Sequence, residues 1–300
     1  MLRGRCFTHN LMLLFLTCLF MSCAASKTMT VGATASLLED VAKSAYRQSD
    51  LKLIREGMPA YLMLIGGMVE AVPDNEALLI NAAQAYASFA SAFVQEEDPS
   101  YGRILYAKAK DYALSALQQI GFADPATSEF DGFSETLHSL GKKDVPYIFW
   151  AASCWGSWIS VNRNSMEAMA ELPRVELMMK RVLKLEEGYY YGGAHIFMGV
   201  LEASRPNIAG GDLNKAQDHF LKAIDLGRGE FLMAYVYYAE YYAKKTFDKA
   251  LYVSTLETAL KTPAGIIPDL TLLNTVAQTR ARAMLKDAND YFGEDTSTAD

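Results

Sequence analysis

The chain has 300 residues, of which 51% are hydrophobic and 21% are charged, and its mass is 33.1 kDa. This composition excludes general disorder, and the count of four cysteines excludes a disulfide-rich scaffold. The net charge is −7 and the sequence contains no block of basic residues. Both features argue against nucleic-acid binding, which requires phosphate groups to be neutralised.

The first 22 residues have the order of a lipoprotein signal peptide. Two arginines precede an apolar run over residues 11–21, which is too short to cross a bilayer, because a helix needs roughly 20 residues for that. Ser22 and Cys23 follow, and a small residue before a cysteine is typical of a bacterial lipobox. We predict cleavage after residue 22, acylation of Cys23 and a lipidated linker over residues 23–33. The alternative is ordinary cleavage nearby, which would give a secreted protein without acyl chains.

Residues 34–293 are predicted to form a single all-helical domain, because their apolar side chains recur at intervals of three and four. Pro59 suits the first turn of one helix, and Asp74 can cap the start of the next. Asp212 and Gly227 are suited to begin and end a later helix.

Two stretches of the chain have a weaker helical pattern. Residues 121–145 hold glycine, proline and several hydroxyl residues, and we predict a long connection that contains a short amphipathic helix. The tail, residues 294–300, has no large apolar side chain and is predicted to be disordered.

Four pairs of predicted helices have the pattern of tetratricopeptide-like hairpins, which need small residues where two helices cross closely. In the clearest pair, Gly199 and Ala216 allow the close approach, and Phe220 and Ala223 face the next hairpin. The other three pairs are degenerate and cover residues 79–116, 150–182 and 231–263. The predicted fold class is therefore all-α, with tetratricopeptide-like hairpins packed into a compact, irregular α–α bundle or superhelix.

The sequence contains no motif typical of an enzyme or a metal site. Gly-x-Ser-x-Gly, a phosphate-binding glycine loop, His-Glu-x-x-His and Cys-x-x-Cys are all absent. His138, His195 and His219 do not pair at metal-ligand spacing, and Cys154 lies on an apolar helix where a free cysteine is usually inert. We predict a protein that is not an enzyme, with no catalytic residue, no metal and no cofactor.

Aromatic residues are the one unusual feature of the composition, with 17 Tyr, 14 Phe and 3 Trp. An aromatic stripe at helical spacing is usually core, but tyrosine and tryptophan also suit a ligand groove because each combines an apolar body with a polar tip. If a groove exists, its predicted wall consists of Trp150, Trp158, Tyr190, His195 and Tyr238. The other interpretation of His195, a hydrogen-bonded core histidine, stays open.

Several segments are more specific than the repeat pattern, and they are Gly57-Met58-Pro59-Ala60, Trp155-Gly156-Ser157-Trp158, Gly192-Gly193-Ala194-His195 and Gly210-Gly211-Asp212. Together they resemble the T component of tripartite ATP-independent periplasmic (TRAP) transporters, a family of tetratricopeptide-like bacterial lipoproteins. The resemblance implies an all-helical protein that associates with the transporter's periplasmic substrate-binding protein. It also implies a homotrimer, and a groove through which a small, partly apolar ligand could pass.

Two hypotheses of function follow. The first is a lipid-anchored periplasmic accessory protein that docks the substrate-binding protein and holds or passes its ligand. The alternative is a helical-repeat scaffold for envelope assembly, since repeat proteins present concave surfaces to protein partners. In both cases acyl chains on Cys23 supply the membrane contact. Ala24 lacks the acidic character of an inner-membrane retention signal, which favours the outer membrane.

Overall fold

The structure is a computed structural model that describes residues 37–293. The predicted signal peptide over residues 1–22, the lipidated linker over residues 23–33 with Cys23, and the tail over residues 294–300 lie outside the described residues. Most residues of the described part are helical, and none of them belongs to a β-strand. The prediction of an all-α fold is therefore confirmed.

The helices are numbered α1 to α14 in chain order. The first seven are α1 (37–46), α2 (Leu51–Ala71), α3 (Glu76–Phe89), α4 (Pro99–Gln119), α5 (Phe130–Ser139), α6 (Val145–Val161) and α7 (Met166–Ala170). The last seven are α8 (Leu172–Glu186), α9 (Tyr189–Ser204), α10 (Leu213–Leu226), α11 (Met233–Tyr238), α12 (Lys249–Lys261), α13 (Thr271–Lys286) and α14 (Ala288–Phe292).

Aspartate and asparagine side chains begin several of these helices by accepting hydrogen bonds from N–H groups of the first turn. Asp212 caps α10, and the helix ends at Gly227, as predicted. Two predicted helix starts are wrong. Asn75, one residue after Asp74, caps α3. Pro59 lies in the middle of α2, because Asp50 caps that helix and its first turns already bury Ile54 against the core.

All four predicted hairpins are present as packed helix pairs, and they are α3 with α4, α6 with α8, α9 with α10, and α11 with α12. The largest apolar core lies among α2, α3, α4, α6 and α8. A second core lies among α11, α12 and α13, and a third joins α9, α10 and α11. The whole is an irregular bundle of hairpins.

The last long helix returns to the beginning of the described chain. Helix α13 packs against α2, and its Arg280 donates a hydrogen bond to the carbonyl oxygen of Ser91. Asp269, just before α13, accepts a 2.6 Å hydrogen bond from Arg47 at the end of α1. These contacts close the bundle, because they join residues about 190 to 220 positions apart.

Two of the hairpins share an uncommon feature at the end of their first helix. Helix α3 continues into a π-helical segment, Ala90–Val94, and α11 continues into a second one, Ala239–Ala243. In each case a short turn follows, and an aspartate caps the next helix. Such π-helical segments are rare in proteins, and those that do occur often lie at functional sites.

The connection over residues 121–145 contains the predicted short helix, α5. Phe133 and Leu137 are fully buried, and the ring of Phe133 lies 4.9 Å from that of Phe122 between centroids. Phe130, in the first turn of the helix, is partly exposed, and its ring stacks on that of Phe133 at 6.4 Å between centroids. The connection is therefore packed onto the body along one apolar stripe.

Among residues 37–293, one helical stretch, Glu76–Val94, is long and apolar enough to cross a membrane by length and composition alone. Inside the molecule 61% of its apolar window is buried. This burial is typical of a core helix, because the side chains of Glu76–Val94 already contact α2, α4 and α6.

Candidate ligand cavities

A cavity of about 320 Å³ lies between α6 and α9 and is called the α6–α9 cavity here. Helices α3 and α13 and the α11 region with its π-helical segment complete its wall. Two of the five predicted groove residues, Trp150 and Tyr190, line it. Trp158, His195 and Tyr238 are not among its lining residues.

Tyr190 is at the centre of an aromatic cluster on one side of this cavity. Its ring meets the ring of Trp150 edge to face at 4.9 Å between centroids. The rings of Phe149 and Phe231 lie 5.4 Å and 5.9 Å from it. Such tilted and edge-to-face contacts are the favourable geometries for aromatic pairs, so the cluster forms a rigid apolar wall.

The backbone of Tyr190 is in the left-handed conformation. Tyr190, Tyr191 and Gly192 have φ values of 50°, 57° and 76°, so α9 begins with a left-handed turn before its regular part. In a regular helix, three consecutive tyrosines would point in three different directions. The left-handed turn instead brings the rings of Tyr190 and Tyr191 against the same residue, Phe231.

Two glycines let aromatic rings pack directly on the helix backbones at this cavity. A Cβ atom on Gly193 would lie 2.7 Å from Cζ of Phe149. A Cβ atom on Gly156 would lie 2.8 Å from Cε2 of Phe197. Both distances are shorter than van der Waals contact, so a side chain at either position would displace a ring from the cavity wall.

Serine hydroxyls line the cavity on the α6 side. Ser153, Ser157 and Ser160 lie four and three residues apart, which places them on one face of the helix. Ser88 of α3 and Ser91 of the π-helical segment that follows it add two more hydroxyls. Sequence reasoning missed this stripe, although its spacing is visible in the sequence. Aspartate, glutamate, lysine, arginine and histidine are all absent from the described lining residues.

Charged residues lie behind the cavity wall and hold the π-helical segments in place. Arg280 contacts Ser91 through both the carbonyl oxygen and the hydroxyl, and its Nε lies 3.7 Å from Oε1 of Glu96. Burial raises the pKa of Glu240, and the neighbouring Arg280 opposes that rise. Burial also raises the pKa of Tyr241, which lines the cavity, to about 12. The phenol of Tyr241 is therefore neutral at physiological pH.

A second cavity, of about 400 Å³, lies beneath α1 and α2 and is called the α1–α2 cavity here. Helices α3 and α13 form its floor. Its walls are mainly apolar, and the large apolar side chains among its lining residues include those of Val41, Leu53, Ile54, Met58, Phe89, Phe93 and Leu272. The charged lining residues, Glu39 and Lys43, form a 2.8 Å ion pair with each other on the exposed helix α1.

Trp158 and Tyr238 pack elsewhere in the fold. The ammonium nitrogen of Lys110 lies 3.7 Å from the centroid of the Trp158 ring and 3.6 Å from Oε2 of Glu171. Tyr238 is buried against Phe220, at 5.8 Å between ring centroids. Each of these aromatic residues therefore joins helices to one another.

His195 is buried in a hydrogen-bonded pair with His219. Their Nδ1 atoms are 2.7 Å apart, and Nε2 of His195 lies 3.0 Å from a carboxylate oxygen of Glu187. If His195 is neutral and donates to Glu187, then His219 donates to His195. Burial lowers the pKa of both histidines, while Glu187 opposes the effect at His195. This geometry favours the interpretation of His195 as a hydrogen-bonded core histidine.

The free cysteine of the described chain has the environment of a packing residue. Cys154 is fully buried, and burial raises the pKa of its thiol to about 12. A thiol that keeps its proton at neutral pH is a poor nucleophile and a poor metal ligand. Within residues 37–293, no group of three or more His, Cys, Asp and Glu side chains is arranged to hold a metal ion.

Comparison with known proteins relates the chain to a transporter component. The family model TAtT, described as TRAP transporter T-component, matches residues 47–292. An uncharacterized protein of Treponema pallidum (strain Nichols) is 22% identical over 263 residues, which are 82% of this chain and 81% of that protein. The family match covers helices α2 to α14, and so it includes most of the residues that line both cavities.

Proposed function

The chain belongs to the TRAP transporter T-component family, and from this membership we propose that it is a lipid-anchored periplasmic protein that docks the substrate-binding protein of a TRAP transporter. A T component is an accessory part of such a transporter, and its family is not a family of enzymes. The family match over residues 47–292 is the single observation that carries this proposal.

The anchor in this proposal is an acyl group on Cys23. Its support is the order of basic start, short apolar run and Ser22-Cys23, all in the part of the sequence before the described residues. Acyl chains of this kind hold a protein at a membrane surface without a spanning helix. The helical body then lies in the periplasm, and the absence of an acidic residue after Cys23 favours the outer membrane.

The ligand in this proposal is held in the α6–α9 cavity, where Trp150 and Tyr190 form part of the wall. Its volume of about 320 Å³ lies within the range of small-molecule sites, about 300–1,000 Å³. A cavity that combines an aromatic cluster with a line of hydroxyls suits a ligand that is small and partly apolar. The body carries out this work as a homotrimer, as the family resemblance implies.

The docking proposal is tested by affinity capture. The processed chain, tagged at its C-terminus, is used as bait in a periplasmic extract of its source bacterium, and captured proteins are identified by mass spectrometry. We expect a periplasmic solute-binding protein to be the most enriched species, and to be absent when an unrelated lipoprotein is the bait.

Two outcomes contradict the proposal. One is a capture in which no solute-binding protein is enriched over the control bait. The other is specific enrichment of envelope-assembly factors, which supports the alternative of a helical-repeat scaffold. Native mass spectrometry of the same preparation measures the oligomeric state, where we expect three copies of the chain.

A further inference from the structure

We infer that the ligand is a single-chain amphiphile whose alkyl chain lies in the α1–α2 cavity and whose uncharged, hydroxyl- or amide-bearing head group lies in the α6–α9 cavity. This inference rests on the proposed function, because it names the class of ligand for the site proposed there. It adds a second compartment, the α1–α2 cavity, to that site.

The two cavities adjoin each other. Ser88 of α3 and Ala92 of the π-helical segment that follows it line both of them, and so do Leu273 and Val276 of α13. At this shared boundary the α3 side contributes only small side chains, a hydroxymethyl and a methyl group, and α13 contributes Leu273 and Val276. A molecule longer than either cavity can occupy both if it passes along this boundary.

The α1–α2 cavity suits an alkyl chain. Its long side chains are mostly aliphatic or phenyl groups, and its one charged pair, Glu39 with Lys43, is already neutralised on the exposed side. Moving an alkyl chain from water into such surroundings is favourable for every methylene group that is buried. The polar groups of this wall are Asn81, Gln84 and Ser88 on α3, which also borders the other cavity, and the phenols of Tyr46 and Tyr61.

The α6–α9 cavity suits a polar head group that carries no charge. The hydroxyls of Ser153 and Ser157 have no hydrogen-bond partner within residues 37–293, so they can donate to and accept from a ligand. A carboxylate or ammonium head group would lose its hydration here and gain no oppositely charged partner, because no acidic or basic side chain lines this cavity. Hydroxyl and amide groups avoid that cost, since serine can satisfy them directly.

The experiment is photolabelling of the processed chain in phosphatidylcholine vesicles. The probe is 1-monomyristoylglycerol with a diazirine at the end of its acyl chain, and labelled peptides are mapped by mass spectrometry. We expect labels on the helices that line the α1–α2 cavity. Unlabelled 1-monomyristoylglycerol should compete, whereas tetradecyl sulfate, an amphiphile of similar chain length with a permanent negative charge, should compete far less.

Two glycines of α2 provide a matched pair of variants. A Cβ atom on either Gly57 or Gly67 meets nothing within 4 Å, so the first carbon of a side chain clashes at neither position. Gly57 lines the α1–α2 cavity and Gly67 does not. We expect Gly57→Phe to reduce labelling about tenfold, the loss that corresponds to about two displaced methylene groups. Gly67→Phe should label as the wild type does.

A third variant tests the head group. Replacing both Ser153 and Ser157 by alanine should weaken competition by 1-monomyristoylglycerol about fivefold, because the head group loses hydrogen-bond partners. Equal labelling of the two glycine variants would overturn the inference. So would labels that map outside α1, α2, α13 and α3 with its π-helical segment, or equal competition by tetradecyl sulfate. The labelling uses no partner protein and the affinity capture uses no lipid ligand, so the failure of one is distinguishable from the failure of the other.

Discussion

Three residues of left-handed backbone determine where the ring of Tyr190 lies. For residues other than glycine this conformation costs roughly 1–2 kcal/mol each, so Tyr190 and Tyr191 are held in it by their surroundings. The support comes from Phe149, Trp150 and Phe231, which contact the Tyr190 ring. Strain held in this way often marks a functional position, and here it positions a residue of the cavity wall.

Gly192, the third residue of this turn, has no room for a side chain. Its φ is 76°, and a Cβ atom there would lie 3.1 Å from the Cα of Ala223 on the neighbouring helix α10. Gly192→Ala should therefore lower the free energy of unfolding by roughly 1–3 kcal/mol, through backbone strain and the close contact together. Urea denaturation followed by circular dichroism measures the change.

The control for this substitution is Gly132→Ala on α5, where φ is negative and a Cβ atom meets nothing within 4 Å. Replacing glycine with alanine at such a helical position should stabilise the protein by up to about 1 kcal/mol. A Gly192→Ala protein that is as stable as the Gly132→Ala protein would show that the left-handed turn is not under strain.

At the scale of helices, the histidine pair joins α9 to α10. His195 and His219 share one hydrogen bond between their Nδ1 atoms, and Glu187 and Lys222 complete the group of charged neighbours, with Asp218 next to His219. If both rings are protonated, neither can accept the hydrogen bond, and two positive charges face each other. The pair therefore holds α9 against α10 only while at least one ring is neutral.

This linkage makes stability depend on pH. Burial lowers the folded-state pKa of both histidines below the usual value of about 6.5, so the unfolded chain binds more protons as the pH falls below that value. The contribution of the pair is fully present above about pH 6.5 and is lost as the pH falls toward the folded-state pKa. We expect the wild type to lose stability over this range more steeply than a variant with glutamine at both positions.

The control for the pH series is His138→Gln, because His138 lies on the exposed side of α5. Urea denaturation between pH 5 and pH 7.5 compares the three proteins, and His138→Gln should follow the wild-type slope. The assignment of the pH dependence to the buried pair fails if the double glutamine variant also keeps that slope.

The sequence predicts helices and their pairing well but not the details that build the cavities. Small residues such as Gly199 and Ala216 indicate a close helix crossing, and Phe220 indeed packs there on Gly199. The left-handed turn at Tyr190 is not predicted, because contacts with α6 and α10 override the local helical preference of the three tyrosines. The serine stripe of α6 could have been predicted, since its spacing is local.

The sequence also does not predict which aromatic residues line a cavity. Trp150 and Trp158 lie eight residues apart on α6, yet one borders the α6–α9 cavity and the other stacks on Lys110 of α4. Which face of α6 meets a cavity depends on where α9, α11 and α13 pack. That arrangement comes from contacts between parts of the chain that are far apart in sequence.

At the scale of the whole molecule, both cavities depend on closure of the bundle. Helix α3 and helix α13 line each of them, so neither cavity exists until the C-terminal helices pack on the N-terminal ones. The apolar cores of the two ends are separate clusters, which makes the polar contacts between the ends important. Among these, Arg280 is the most central, because it meets the π-helical segment of α3 next to the α6–α9 cavity.

Removing that contact should loosen the closure without removing any helix. Arg280→Met keeps most of the side-chain volume but leaves the Ser91 carbonyl without its donor, and hydrogen bonds to charged groups contribute about 1.5–3 kcal/mol. We expect a loss of stability of that size, with faster amide hydrogen exchange in α13 and also in Ala90–Val94, measured by mass spectrometry. Arg282→Met, at an exposed position of the same helix, should change neither quantity. If Arg280→Met speeds exchange in α13 alone, the two ends are held together by apolar packing, and Arg280 does not link α13 to the wall that both cavities share.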